Sequence, residues 1–277
     1  MRRGIGERIL AHAILMMMVM IVLYPVLWVV KMAFSPSQAF SMSLSLLPEE
    51  WTLDNFRVLL SADDGLFLRQ MVNSLIVAGA TTVVGVVLSC TAAYAFSRFR
   101  FPGRDVGMAT FLVTQMFPGV VMAIPLYILL DNLGLLNSLT GLVLVYSTTA
   151  VPFCVWMLKG YFDTIPIDLE EAAVMDGAGQ WTIFTKIVLP LAKPAIAVTA
   201  LFSFMTAWNE FILAATFLSD ETKYTVPVVL QRFVGDYSTE WGYFAAGAII
   251  VSIPVMLLFF KLQTYLVSGL TAGAVKG

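Results

Sequence analysis

Two places in this sequence set carboxylates in patterns able to do chemical or mechanical work. The first is the stretch 168–190, which opens on Asp168, Glu170 and Glu171 and is the most acidic interruption of an otherwise apolar chain. The second is Glu210, which follows Trp208 and Asn209 inside the apolar run 200–218. A carboxylate at membrane depth costs about 2.5–3.5 kcal/mol on insertion scales, so it must face a partner or a watery path. Trp208 adds an aromatic plane with an N–H donor, suited to stacking on a sugar ring. These three residues read either as part of a translocation path or gate, or as a polar patch against a second membrane subunit.

The elements that hold these groups follow from local signals. Asp168 is in position to cap a short helix, and Glu171, three residues on, to return the bond as in a capping box. Both lie at the positive end of the helix dipole. Leu169, Ala172, Ala173 and Asp176 recur at helical spacing and leave one face small and flat, and Gly177 and Gly179 stop the helix. A second amphipathic run, 181–189, ends at Pro190. Two small helices with a low-relief face outside the bilayer read as a docking platform; the plainer reading is a capped loop helix.

Composition places the whole in a membrane. A chain of 277 residues that is 59% hydrophobic and 12% charged exceeds what a soluble fold of that size can bury. Its formal net charge of −2 gives no basic surplus for nucleic acid. The two cysteines, Cys90 and Cys154, fall in apolar runs and support neither a disulfide framework nor a metal cluster. His12 is the single histidine, too little to build a metal or acid–base site. No phosphate loop of the Gly-x-x-x-x-Gly-Lys-Ser/Thr type is present, nor a zinc-protease or serine-hydrolase motif, so the chain reads as a non-enzyme.

Six apolar spans are expected, at 9–33, 71–96, 106–130, 139–158, 195–218 and 243–266. Each is long enough to cross about 30 Å of hydrocarbon at about 1.5 Å per residue. The loop 34–69 is too small for a core of its own, and within it Thr52 is placed to cap a short helix. Arg2, Arg3, Arg8, Arg98, Arg100, Arg104, Lys159, Lys186, Lys193 and Lys276 fall on one side of this layout, and the opposite loops are predominantly acidic. The positive-inside rule then makes both termini and the 168–190 platform cytoplasmic. Pro25, Pro118, Pro125, Pro152 and Pro254 within the spans predict kinked helices around a cavity. Small residues such as Gly85 and the run 245–248 predict close helix packing. The outward loop 220–241 is long, polar and aromatic, and 226–231 reads as a short surface helix. By composition, residues 267–277 are too glycine-rich to hold a helix and read as a frayed terminus.

The spacing Glu171-Ala172-Ala173, three residues, Gly177, nine residues, Ile187, one residue, Leu189-Pro190 is similar, without gap or substitution, to the EAA loop of ABC-importer permeases. The segments 157–166, 207–211 and 241–246 and the tail 267–277 resemble the carbohydrate-uptake, MalG-like branch of that family. The resemblance implies an all-α membrane protein of the type I importer fold, with a coupling helix seated in a cytoplasmic ATPase dimer. It implies a second, MalF-like permease subunit and an extracytoplasmic sugar-binding protein touching the last outward loop. Asp168, Glu171, Ala172, Ala173, Gly177, Ile187, Leu189 and Pro190 would then form the ATPase contact. The tail residues Gly269, Leu270, Thr271, Gly273 and Lys276 would reach the same interface. No cofactor is expected on this chain, ATP and magnesium belonging to the partner. The layout expected is 1–70 as first span and outer loop, 71–266 as permease core with its coupling loop at 160–193, and 267–277 as cytoplasmic tail. The bacterial cytoplasmic membrane is the expected location. The alternative is an ion- or proton-coupled secondary transporter with Glu210 as the titrating group.

Overall fold

In the computed structural model, which describes residues 5–40, 45, 47–235 and 239–274, with side chains from 6 to 265, every extended element is a helix. Among the described residues the only β contact is an isolated bridge between Val234 and Thr239. Four helices are long and apolar enough to cross a membrane, and up to six spans result if each of two bent helix pairs is counted as one. The chain divides into two compact units, Met1–Leu68 with Val229–Ile253, and Arg69–Val228 with Pro254–Gly277.

The first unit carries α1 (Ile5–Ala33) and α2 (Asp54–Ser61). Its organising residue is the buried Asn55, whose amide donates to the carbonyls of Ala33 and Ser35 at 2.9 and 2.8 Å. It thereby satisfies the last carbonyl of α1 and one just beyond the helix end. Thr52 accepts from the Asp54 N–H at 3.0 Å, but the N-cap is Leu53, so the expected cap lies one residue upstream of its place. Gly242 allows the start of the last helix to approach this corner: a Cβ there would meet the Gln38 and Asn55 amides within 2.9 Å.

The second unit holds the rest of α3 (Leu66–Arg98), then α4 (Arg104–Gln115), α5 (Gly119–Asn132), α6 (Leu139–Phe162), α7 (Asp168–Met175) and α8 (Gln180–Ile183). A π-helical turn, Phe184–Val188, leads into α9 (Leu189–Leu191), followed by α10 (Lys193–Trp208) and α11 (Ile212–Phe217). The two bent pairs are α4 with α5, and the run Gln180–Leu191 with α10, the latter at 79°. Two expected spans are interrupted. The third is α4 and α5, bent by 102° at Pro118, because proline lacks the N–H and disfavours helical backbone at Phe117 before it. The fifth stops at Trp208 and resumes at Ile212, with Asn209, Glu210 and Phe211 between. Pro25, Pro125, Pro152 and Pro254 instead lie inside helices. Close packing at Gly85 holds: a Cβ there would come within 3.0 Å of the Ser203 hydroxyl on α10.

The segment 220–241 begins pinned. Gln70 and Asn73 of α3 donate to the carbonyls of Glu221 and Thr222 at 2.9 Å each, and the Ser74 hydroxyl accepts from the Val226 N–H at 2.7 Å. A short helix, α12 (Val226–Arg232), follows, and α13 (Trp241–Ala274) closes the chain. That last helix corrects the frayed-terminus reading, since its backbone stays helical through the glycines at 269 and 273. A long helix already nucleated meets only the propagation cost, about 1 kcal/mol per glycine.

Candidate functional site

The platform begins one residue earlier than its carboxylates suggest. Ile167 has helical dihedrals and is the N-cap of α7, and no side chain caps the end. Pro166 presets the preceding turn, and the Glu170 and Glu171 N–H groups bond to the Ile167 carbonyl at 2.8 and 3.0 Å. The expected Asp168–Glu171 capping box is therefore not formed; both carboxylates are exposed in the first turn, where they still favour the dipole.

Its far end closes as a Schellman motif. The Ala178 N–H donates to the Ala173 carbonyl and the Gly177 N–H to the Val174 carbonyl, both at 2.9 Å. Gly177 sits at φ +83° with open space around its missing Cβ. Gly177→Ala is therefore expected to destabilise by about 1–2 kcal/mol through backbone strain alone, with Gly177→Asn milder; thermal unfolding in detergent reads the difference.

The residue that fixes the platform is Glu170, neighbour to the one the spacing singles out. It is 7% exposed and forms a 2.5 Å ion pair with the Arg98 Nε at the end of α3. The Arg98 Nη2 donates to the carbonyls of Phe162 and Ile165, and its Nη1 to the Ser97 hydroxyl at 2.8 Å. The Tyr94 hydroxyl lies 3.2 Å from both Glu170 Oε2 and Gln180 Oε1. Ile165, Ile183, Phe184 and Val188 pack beneath, in one apolar cluster with α3 and α6. Adjacent composition carried a signal for this: an arginine closing one apolar run and two successive glutamates opening the loop helix.

Burial then sorts the motif residues. Asp168, Glu171, Ala172, Gly177 and Pro190 are exposed, whereas Ala173, Ile187 and Leu189 lean half-buried on the cluster. Pro190 does not end its segment; the π turn widens the helix before it, and the chain runs on to Leu191. Along α7 and the start of α8 stand exposed apolar groups, among them Met175 at 86% and Trp181 at 71%, with Leu169 and Val174. Beside this platform the Ser97 hydroxyl donates to Asp163 at 2.6 Å and Lys159 pairs with the same carboxylate. Partial burial pushes the Asp163 pKa up, but the bonds from Lys159 and Ser97 outweigh it and hold the group below its usual value. A depressed carboxylate stabilises the fold above its unfolded pKa and ceases to as pH falls through the folded value. This clasp is thus expected to loosen only on acidification below the ordinary carboxylate range, with Asp163→Asn abolishing that pH dependence in a thermal-unfolding series.

Around the break in the fifth span the three singled-out residues part company. Trp208 is 3% exposed, its ring 5.3 Å from Phe204 at 18° between planes, so this chain already covers the indole. Asn209 is exposed and bonds back to the Met205 carbonyl at 2.9 Å. The Glu210 carboxylate accepts from the Tyr146 hydroxyl at 2.7 Å and from the N–H groups of Leu213 and Ala214 at 2.8 and 3.1 Å. It caps α11 from within the span and ties it to α6. Of the tail residues, Gly269, Leu270, Thr271 and Gly273 share the backbone of α13, and Lys276 lies outside the described residues.

This combination of bent helix pairs and a loop-helix platform has counterparts. Residues 85–272 match the family described as "Binding-protein-dependent transport system inner membrane component". The chain belongs to that family. Over 270 residues this permease is 40% identical to the galactooligosaccharides transport system permease protein GanQ of Bacillus subtilis (strain 168), covering 96% of this chain and 95% of the relative. It is 37% identical to the maltose/maltodextrin transport system permease protein MalG of Escherichia coli (strain K12) over 285 residues, 97% and 95% of the two chains. In fold it resembles a bacterial ABC transporter involved in import of the acidic polysaccharide alginate, at TM-score 0.80 and 24% identity, covering 95% and 99%. As a permease component it is a membrane subunit and not an enzyme, and it binds no cofactor of its own.

Proposed function

We propose that this permease is the translocating subunit of an ATP-driven carbohydrate importer. A second, MalF-like permease, a cytoplasmic ATPase dimer and an extracytoplasmic sugar-binding protein complete it. The sugar class rests on the relatives, whose names cover galactooligosaccharides, maltodextrin and trehalose, and points to an oligosaccharide. The observation that carries the coupling is the exposed face of α7, acidic and apolar together, held on a buried ion pair. Such a face is suited to a cleft in an ATPase subunit, with Glu171 free to meet a cation there.

The charge distribution supports cytoplasmic termini and a cytoplasmic platform. In this reading the spans alternate between inward- and outward-open states as the ATPase dimer closes on α7. Asn209, exposed at the broken span, is the member of the 208–210 cluster best placed to line the path, with Trp208 and Glu210 shaping the break behind it. The tail at 269–276 would extend the ATPase contact. The ion-coupled reading finds little support, because the Glu210 carboxylate is already held by three donors.

The test is affinity purification of the tagged chain in mild detergent with identification of what accompanies it. Wild type is expected to retain an ATPase that Glu171→Ala releases, with membrane insertion unchanged because the side chain is exposed. The accompanying binding protein can then be screened for its sugar. A chain that purifies alone, with uptake following an ion gradient, would overturn the proposal.

A further inference from the structure

Arg98 does more than neutralise Glu170. Its guanidinium is shared among three elements: its own helix through Ser97, the end of α6 through the Phe162 carbonyl and the Ile165 carbonyl just beyond it, and the platform helix α7 through Glu170. Tyr94, one turn back on α3, extends the same connection to Gln180 at the start of α8. The ion pair is nearly dry, with side-chain exposures of 9% and 10%. A planar guanidinium fixes the direction of each bond, and a buried charge cannot leave its partner without remaining uncompensated. α7 therefore has no inexpensive way to tilt independently of the ends of α3 and α6.

We infer that the Arg98–Glu170 pair is the joint that converts displacement of the platform into movement of two membrane spans, making both positioning residues for transport. The inference rests on the coupling role proposed above. It separates two jobs within adjacent glutamates: Glu171 faces the partner, and Glu170 carries the load inward. A surface contact without this joint would let α7 rock on its apolar bed while the spans stayed still.

The joint makes a prediction that a purely structural ion pair does not. Replacing both partners by apolar residues of similar bulk, Arg98→Met with Glu170→Leu, removes the charge without leaving either half unpaired, and such exchanges are often tolerated by the fold. The assembled transporter is reconstituted in proteoliposomes, and ATP hydrolysed per sugar imported is measured. The double variant is expected to insert, to retain the ATPase and to hydrolyse ATP, yet to import at least tenfold less sugar per ATP. Arg98→Lys, which keeps charge but loses the planar fork, is expected to show a smaller loss of about threefold, and it serves as the readout should the apolar pair fail to insert. A wild-type ratio of ATP to sugar in either inserted variant overturns the joint while leaving the importer reading intact. Wild-type uptake that needs no ATP overturns both.

Discussion

Glu210→Ala is expected to destabilise this permease by about 2–4 kcal/mol, among the largest single losses available outside the platform. Three donors lose their acceptor at once. The Tyr146 hydroxyl, on a side chain only 1% exposed, has no water to turn to, and an orphaned buried donor costs about 1–3 kcal/mol. The amides of Leu213 and Ala214 lose the only side-chain cap of α11, worth about 1 kcal/mol. Glu210→Gln, which keeps one accepting oxygen, and Tyr146→Phe, which removes the buried donor, should each lose about 1–2 kcal/mol. The Tyr146/Glu210 double-mutant cycle should be non-additive, since both single variants break the same bond. Thermal unfolding in detergent orders the series. A Glu210→Ala chain that unfolds at the wild-type temperature but no longer transports would move the carboxylate from the frame of the span to the path itself.

Met175→Glu is expected to weaken association with the ATPase by about two to three and a half orders of magnitude without affecting the fold. At 86% exposure Met175 contributes almost nothing to the chain's own packing, and it ends α7 next to the exposed Val174. A carboxylate forced into a desolvated contact without a partner costs about 3–5 kcal/mol, and about 1.4 kcal/mol is tenfold in Kd. Met175→Leu should bind as wild type. Titrating detergent-solubilised chain against the isolated ATPase checks this, and equal affinity for the glutamate variant would mean that α7 docks by another face or not at all.

The two substitutions act at opposite depths. The platform's spacing was visible from residue types alone, because a loop helix is specified locally: acids in its first turn, small residues on one face, Gly177 where a left-handed dihedral is needed. What local signals misjudged were boundaries. Asp168 is as good a cap as any by type, yet Pro166 starts the turn before it, and the glycines of the tail did not stop a helix of 34 residues. The same limit applies to Pro118 and to Glu210: five prolines and one carboxylate lie within apolar runs, and among these described residues Pro118 and the 209–211 segment interrupt their expected runs. Composition cannot rank them, because a proline's missing bond is tolerated wherever neighbours resatisfy the backbone.

By itself, then, the sequence determined the membrane class, the apolar runs and the acidic loop helix stopped at Gly177, since each depends on hydropathy or on contacts within one turn. The tertiary structure alone decided that Glu170 and not Glu171 is the anchor, that Trp208 is covered by Phe204, and that Glu210 is bound to Tyr146, 64 residues away. Neighbouring glutamates are equivalent in any local pattern. Burial and a partner from a distant helix, Arg98 on α3, make one of them structural and leave the other exposed.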